Sequence, residues 1–113
     1  MSKKEIIATS VFERLLKKLA KKFPSVKKIF LEAIENLEDK PGFGDEIQGH
    51  KDYYKVRYPN IDAKKGKSGG FRLIYYWTKD SEQVILVSIY SKTEQQEVDW
   101  ESVKRSIEGA END

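Results

Sequence analysis

The spacing of apolar positions along this chain switches between helical and strand periods, and each stretch predicts its own element. Ile6-Ile7-Ala8-Thr9 is a short apolar run that predicts a first strand. Ser10-Val11-Phe12-Glu13 has the form of a capping box, with Ser10 as N-cap and Glu13 reaching back to it. Phe12, Leu15, Leu16, Leu19 and Phe23 follow at helical spacing, so an amphipathic helix is expected over residues 11–23. Pro24 closes it. Ser25 then caps a second helix, whose Val26, Ile29, Phe30, Ala33, Ile34 and Leu37 make one stripe that runs to about Glu38. Pro41-Gly42-Phe43-Gly44 is turn punctuation.

From Tyr53 the period becomes two. Tyr54, Val56 and Tyr58 alternate with Lys55 and Arg57, which predicts a half-buried strand with one basic face. A Lys- and Gly-rich loop from Pro59 to Gly70 leads to a strand over 71–77, and a hairpin at Lys79-Asp80-Ser81-Glu82 leads to another over 84–90. Asp99 caps a last helix in which Trp100, Val103 and Ile107 share a face. The expected fold is α+β in the order β-α-α-β-β-β(-α). It has an antiparallel four-stranded sheet, helices packed on one face and the other face at least partly open.

Alternation then assigns the faces. With Tyr54, Val56, Phe71, Leu73, Tyr75 and Trp77 turned toward the helices, Lys55, Arg57, Arg72, Ile74 and Tyr76 turn away. With Ile85, Val87 and Ile89 in the core, Ser88 and Tyr90 lie on the open face and Lys92 just beyond the strand end. Lys55, Arg57, Arg72, Tyr90 and Lys92 would so share one surface, provided no strand slips by one residue.

Composition narrows the chemistry. The 113 residues are expected to form one domain spanning 1–113, without Cys and with a single His. This removes disulfide and thiolate chemistry, argues against a transition-metal site and fits the cytoplasm. No stretch approaches the ~20 apolar residues of a membrane helix, so no membrane partner is expected. The net charge of +2 conceals a division. Residues 51–79 carry eight basic side chains against Asp52 and Asp62, a net of +6, and residues 80–113 carry a net of −6. Cations neutralise phosphates and aromatic rings stack on unpaired bases, so a basic–aromatic sheet face suits single-stranded RNA. Gly66-Lys67-Ser68-Gly69-Gly70 lacks the spacing of a nucleotide-binding phosphate loop and precedes a strand, not a helix. Lys64, Lys65 and Lys67 are candidate RNA-binding residues on that loop. His50 has no partner in the local pattern, and the helix carboxylates read as a solvated face.

Several segments together resemble the RelE/ParE toxin superfamily, most closely its HigB-like RelE branch. They are Phe12-x-x-x-Leu16-Lys17-Lys18-Leu19, Pro41-Gly42-Phe43-Gly44, Tyr54-Lys55-Val56-Arg57, Gly66-Lys67-Ser68-Gly69-Gly70-Phe71-Arg72-Leu73-Ile74-Tyr75-Tyr76 and Ile89-Tyr90-Ser91-Lys92-Thr93-Glu94. The resemblance spans nearly the whole chain. It implies a cytoplasmic type II toxin: an endoribonuclease that cleaves mRNA on the ribosome, with rRNA contacts, and is neutralised by a cognate antitoxin. It also implies cleavage through the substrate 2′-OH, without metal or other cofactor. By motif, Lys55 and Arg57 match the basic strand of the family's active face, Arg72 the arginine that bears on the scissile phosphate, and Tyr90 and Lys92 the late proton-transfer or orienting positions. Members differ in their general base, and His50 does not align with those late positions. Two rival readings keep the fold without the chemistry: a ParE-like gyrase poison, and a non-catalytic RNA- or partner-binding domain.

Overall fold

A computed structural model describes residues 3–62, 70–95 and 97–112, the last four of these by backbone alone. Its elements are β1 (Glu5–Ala8), α1 (Ser10–Lys22), α2 (Val26–Asp39), β2 (Asp45–Glu46), β3 (Tyr53–Tyr58), β4 (Phe71–Tyr76), β5 (Gln83–Ser91) and α3 (Trp100–Asn112). The strands form one sheet in the order β1-β5-β4-β3-β2. This corrects the expected four-stranded antiparallel sheet in two respects. Two residues after the Pro41–Gly44 turn, Asp45 and Glu46, pair antiparallel with Lys55 and Tyr54 and add an edge strand. The first strand pairs parallel with β5, Ile6 opposite Val84 and Ala8 opposite Leu86. The sheet is therefore mixed, with α1 and α2 crossing from β1 back to the other edge.

The cap of α1 is Thr9, one residue earlier than expected. Its hydroxyl accepts from the Phe12 N–H at 3.1 Å and donates to the Leu86 carbonyl at 3.1 Å, tying helix start to central strand. A buried Thr that bonds on both sides outcompetes the exposed Ser10 for this role. Asp99 caps α3 as anticipated, accepting from the Ser102 N–H. The N-terminus of α2 takes its cap from a distance: the Asp62 carboxylate accepts from the Ser25 N–H at 2.7 Å. Ser25, by side chain first and backbone second, holds the Asp62 carboxyl below its ordinary range, and the bond anchors the segment Pro59–Asp62 to α2.

Two cores sandwich the sheet. On the α1–α2 side lie Phe12, Leu19, Val26, Leu37, Val56, Phe71, Leu73, Tyr75, Val84, Leu86 and Ile89, with Tyr54 and Trp77 at the margin. On the other side Ile74, Val87 and Tyr90 pack under Val103 and Ile107 of α3, with Ile85, Tyr53, Tyr76 and Trp100 around them. All helices were expected on one face; α3 instead covers part of the second. Strands β3 and β4 keep the expected parity throughout. Strand β5 does not. Ile74 pairs with Ser88 but Tyr75 pairs with Leu86, so Val87 is an extra residue in a β-bulge. Before the bulge Val84 and Leu86 face α1 and α2, and Ile85 and Val87 face α3, the reverse of the expected assignment. After it Ile89 and Tyr90 fall as expected.

Tyr75 fastens the Pro41–Gly44 turn to this framework. Its hydroxyl accepts from the Gly44 N–H at 2.9 Å and donates to the Pro41 carbonyl at 2.6 Å. A β-carbon at Gly44 would lie 3.0 Å from both the Tyr75 hydroxyl and the Lys55 carbonyl, so the close approach requires glycine. Burial drives the Tyr75 phenol well above its ordinary range, so it stays a donor.

Candidate functional site

Downstream of the bulge, three strands present one cross-strand rung. Arg57 on β3 lies opposite Arg72 on β4, and Arg72 opposite Tyr90 on β5. Directly opposed residues of an antiparallel pair stand ~5 Å apart at their Cβ atoms, so two guanidinium groups and a phenol form a row about 10 Å long across three strands. One step along the same face, Lys55 lies opposite Ile74. Lys92 enters just past β5, its backbone N–H donating to the Gly70 carbonyl at 3.0 Å. The five residues singled out from the sequence thus meet in one place.

Their electrostatics follow from that crowding. The Lys55 ammonium is pushed below its ordinary range by burial first, then by the like charges of Arg57, Arg72 and Lys92; Asp45 on β2 partly offsets this. Arg72 is pushed down by burial and by Arg57, with Tyr90 acting the other way. Burial holds the Tyr90 phenol above its ordinary range although Arg72 and Arg57 pull it down, and Glu97 adds to the upward push. A patch whose cations destabilise one another is one that an anion would stabilise. Arg72 is tethered to the backbone beside it. Its Nη1 donates to the Phe71 carbonyl at 3.3 Å, and its Nε has no partner among the described residues. A β-carbon at Gly70 would sit 2.9 Å from that Nη1 and 2.8 Å from the Tyr58 carbonyl oxygen. Gly70 is therefore the space in which the guanidinium lies.

Lys64, Lys65 and Lys67 lie outside the described residues. His50, read as partnerless from its neighbours in sequence, stacks on Trp100 with ring centroids 3.6 Å apart and planes within 3°. No local pattern reports a contact across fifty residues. A second basic surface also escaped the sequence reading: Arg14, Lys17, Lys18 and Lys21 line the exposed side of α1, on the far side of the sheet from the rung. Among the described residues no group of three or more His, Asp or Glu is placed to hold a metal ion. No described helix is long and apolar enough to cross a membrane.

No family model matches this chain. Solved structures do. The free state of a double arginine-to-alanine mutant of the Escherichia coli toxin RelE shares 24% identity, with a TM-score of 0.62 over 93% of this chain and 98% of that one. A crystal structure of the isolated E. coli RelE toxin shares 27% identity, with a TM-score of 0.53 over 90% and 97%. The fold is RelE-like. Both RelE structures are matched over nearly their full length, so the likeness takes in both the helical half and the strands that carry the rung.

Proposed function

We propose that this chain is a single-domain toxin of a type II toxin–antitoxin system, of the HigB-like RelE branch. In this proposal it acts in the cytoplasm as a ribosome-dependent mRNA endoribonuclease restrained by a cognate antitoxin. The observation that carries the reading is the Arg57–Arg72–Tyr90 rung with Lys55 and Lys92 beside it, on a RelE-like sheet. A gyrase poison or a passive RNA-binding domain gives no reason to gather a downshifted lysine, two arginines and an upshifted tyrosine on one rung.

The chemistry follows from the groups. The substrate's own 2′-OH attacks the adjacent 3′-phosphate, the P–O5′ bond breaks, and a 2′,3′-cyclic phosphate and a 5′-OH remain. Lys55, its ammonium destabilised by burial and by the neighbouring cations, is the group placed to take the 2′-OH proton. Tyr90 packs beside α3 and is only 6% exposed, so it is its hydroxyl end, held protonated by burial, that would give a proton to the departing 5′-oxygen. Arg57, Arg72 and Lys92 face the extra negative charge of the phosphorane-like transition state. Lys64, Lys65 and Lys67 guide the strand toward the rung. The exposed cations of α1 give a second purchase on a large polyanion such as rRNA.

Purified protein added to translating ribosomes, with mRNA 5′ ends mapped, tests the assignment. New 5′ ends should appear with wild type and fall about 100- to 1000-fold in rate with Arg72→Ala. Cleavage by Arg72→Ala and Lys55→Ala at the wild-type rate would overturn it, as would DNA damage without translation arrest in induced cells.

A further inference from the structure

The face that carries the rung has a second end. On β3 the residues turned this way are Arg57, Lys55 and Tyr53; on β4 they are Arg72, Ile74 and Tyr76. Tyr53 and Tyr76 pair directly and their rings meet at 5.0 Å. Trp100, the first residue of α3, meets Tyr53 edge-on at 5.2 Å and lies flat against His50. All four rings are only partly buried. Four residue steps along the strand separate this cluster from the Arg57–Arg72 rung, about 13 Å, or roughly two nucleotides along an extended single strand.

We propose that the His50–Trp100 stack, flanked by Tyr53 and Tyr76, is a subsite for one unpaired nucleobase of the RNA strand whose phosphate lies on the Arg57–Arg72 rung. The inference rests on the reading of this face as an RNA surface and adds the contact that sets the strand's register. Three features support it. First, α3 already has an anchor: Val103 and Ile107 are buried, 2% and 7% exposed, in the core with Ile74 and Val87. A further apolar residue would extend that anchor without polar edges. The cluster uses imidazole, indole and two phenols instead, rings that stack on bases regardless of sequence.

Second, His50 is held in place before any ligand arrives. Its N–H donates to the Ile47 carbonyl at 3.0 Å, and its carbonyl accepts from the Tyr53 N–H at 3.1 Å. Gly49 and Asp52, on either side, have φ of 83° and 69°, in the left-handed region. Asp52 is fixed there because its N–H donates to the Glu46 carboxylate and its carbonyl accepts from the Trp77 N–H. A turn with a non-glycine left-handed residue, bonded on both sides, presents the ring rigidly, so little ordering cost remains for binding. Third, Lys55 stands between rung and cluster on the same strand, where an intervening phosphate would pass.

The test uses the full chain and a short single-stranded 2′-O-methyl oligoribonucleotide, which cannot be cleaved, followed by fluorescence anisotropy at low salt. Abasic substitution is scanned through the oligonucleotide, and His50→Ala is measured with each probe. One abasic position should weaken binding about tenfold, and His50→Ala should weaken the intact probe similarly without further loss on that abasic probe. Emission of Trp100 in a Trp77→Phe background should quench on saturation. Equal affinity for every abasic probe and for His50→Ala, with Arg57→Gln still weakening binding, would overturn the subsite alone and leave the phosphate rung intact. No binding of the free oligonucleotide by wild type, with cleavage on ribosomes intact, would overturn the subsite and leave the rung's reading standing. Base-dependent binding with no cleavage on ribosomes would keep the subsite and sink the endonuclease.

Discussion

Replacing Arg57 by Gln removes one of two guanidinium groups that oppose each other across β3 and β4, and it should make the protein more stable. Like charges directly opposite on antiparallel strands cost about 0.2–1 kcal/mol, and Arg57 also bears on Lys55. For a chain of 113 residues that range corresponds to a rise in Tm of about 1–6 °C. Arg57 is exposed and makes no ion pair among the described residues that the change would break. The origin of the gain can be checked by salt. Screening relieves the same repulsion in wild type, so the gap between the two proteins should narrow as NaCl rises from 0.05 to about 1 M. Differential scanning calorimetry of both proteins at several salt concentrations measures this directly. A lower Tm for Arg57→Gln, or a gap that ignores salt, would refute the claim that the rung is a self-repelling anion site. The same variant should lose RNA affinity, the usual exchange between stability and a site built for a ligand.

Three further outcomes follow from the geometry. Tyr75→Phe strands the Gly44 N–H and the Pro41 carbonyl, and should cost about 1–3 kcal/mol by denaturant titration. Gly70→Ala drives a methyl into the Tyr58 carbonyl and the Arg72 guanidinium; a loss of about 1–3 kcal/mol is expected, with a fall in RNA affinity beyond what unfolding explains. Lys55 loses charge at a lower pH than an ordinary lysine, so cleavage should rise with pH and level off below the usual lysine range, whereas Lys55→Arg should show no such rise. The linkage has the matching sign. A folded-state pKa below the unfolded one means the unfolded chain binds more protons between the two values, so Lys55 adds stability as pH climbs through that window. A profile unchanged in Lys55→Arg would remove the lysine from proton transfer.

Much of the candidate site was legible because β3 and β4 alternate without interruption. Lys55 and Arg57 on one strand and Arg72 on the next had their faces set by parity alone, and both strands hold that parity. Tyr90 was placed correctly for a less secure reason: Val87 bulges, so the assignment failed for Ile85 and Val87 and recovered only past the bulge. A bulge is a backbone event, and Gln83–Ser91 carries no Gly or Pro to announce it. The parallel pairing of β1 depends on where α2 delivers the chain, and β2 is too short to show a period. Amphipathicity told that α3 packs, not on which face. The capping of α2 by Asp62 and the stacking of His50 on Trp100 join residues 37 and 50 positions apart, beyond any local pattern.

The central claim is that this face cleaves RNA through the substrate's own hydroxyl. A ribosome-bound mRNA with a single 2′-deoxy substitution at the cleaved nucleotide tests it most directly. Loss of cleavage at that nucleotide alone, with a 2′,3′-cyclic phosphate on the product of the unsubstituted message, is the predicted result. Undiminished cleavage of the deoxy-substituted message, or no cleavage of either, would contradict it.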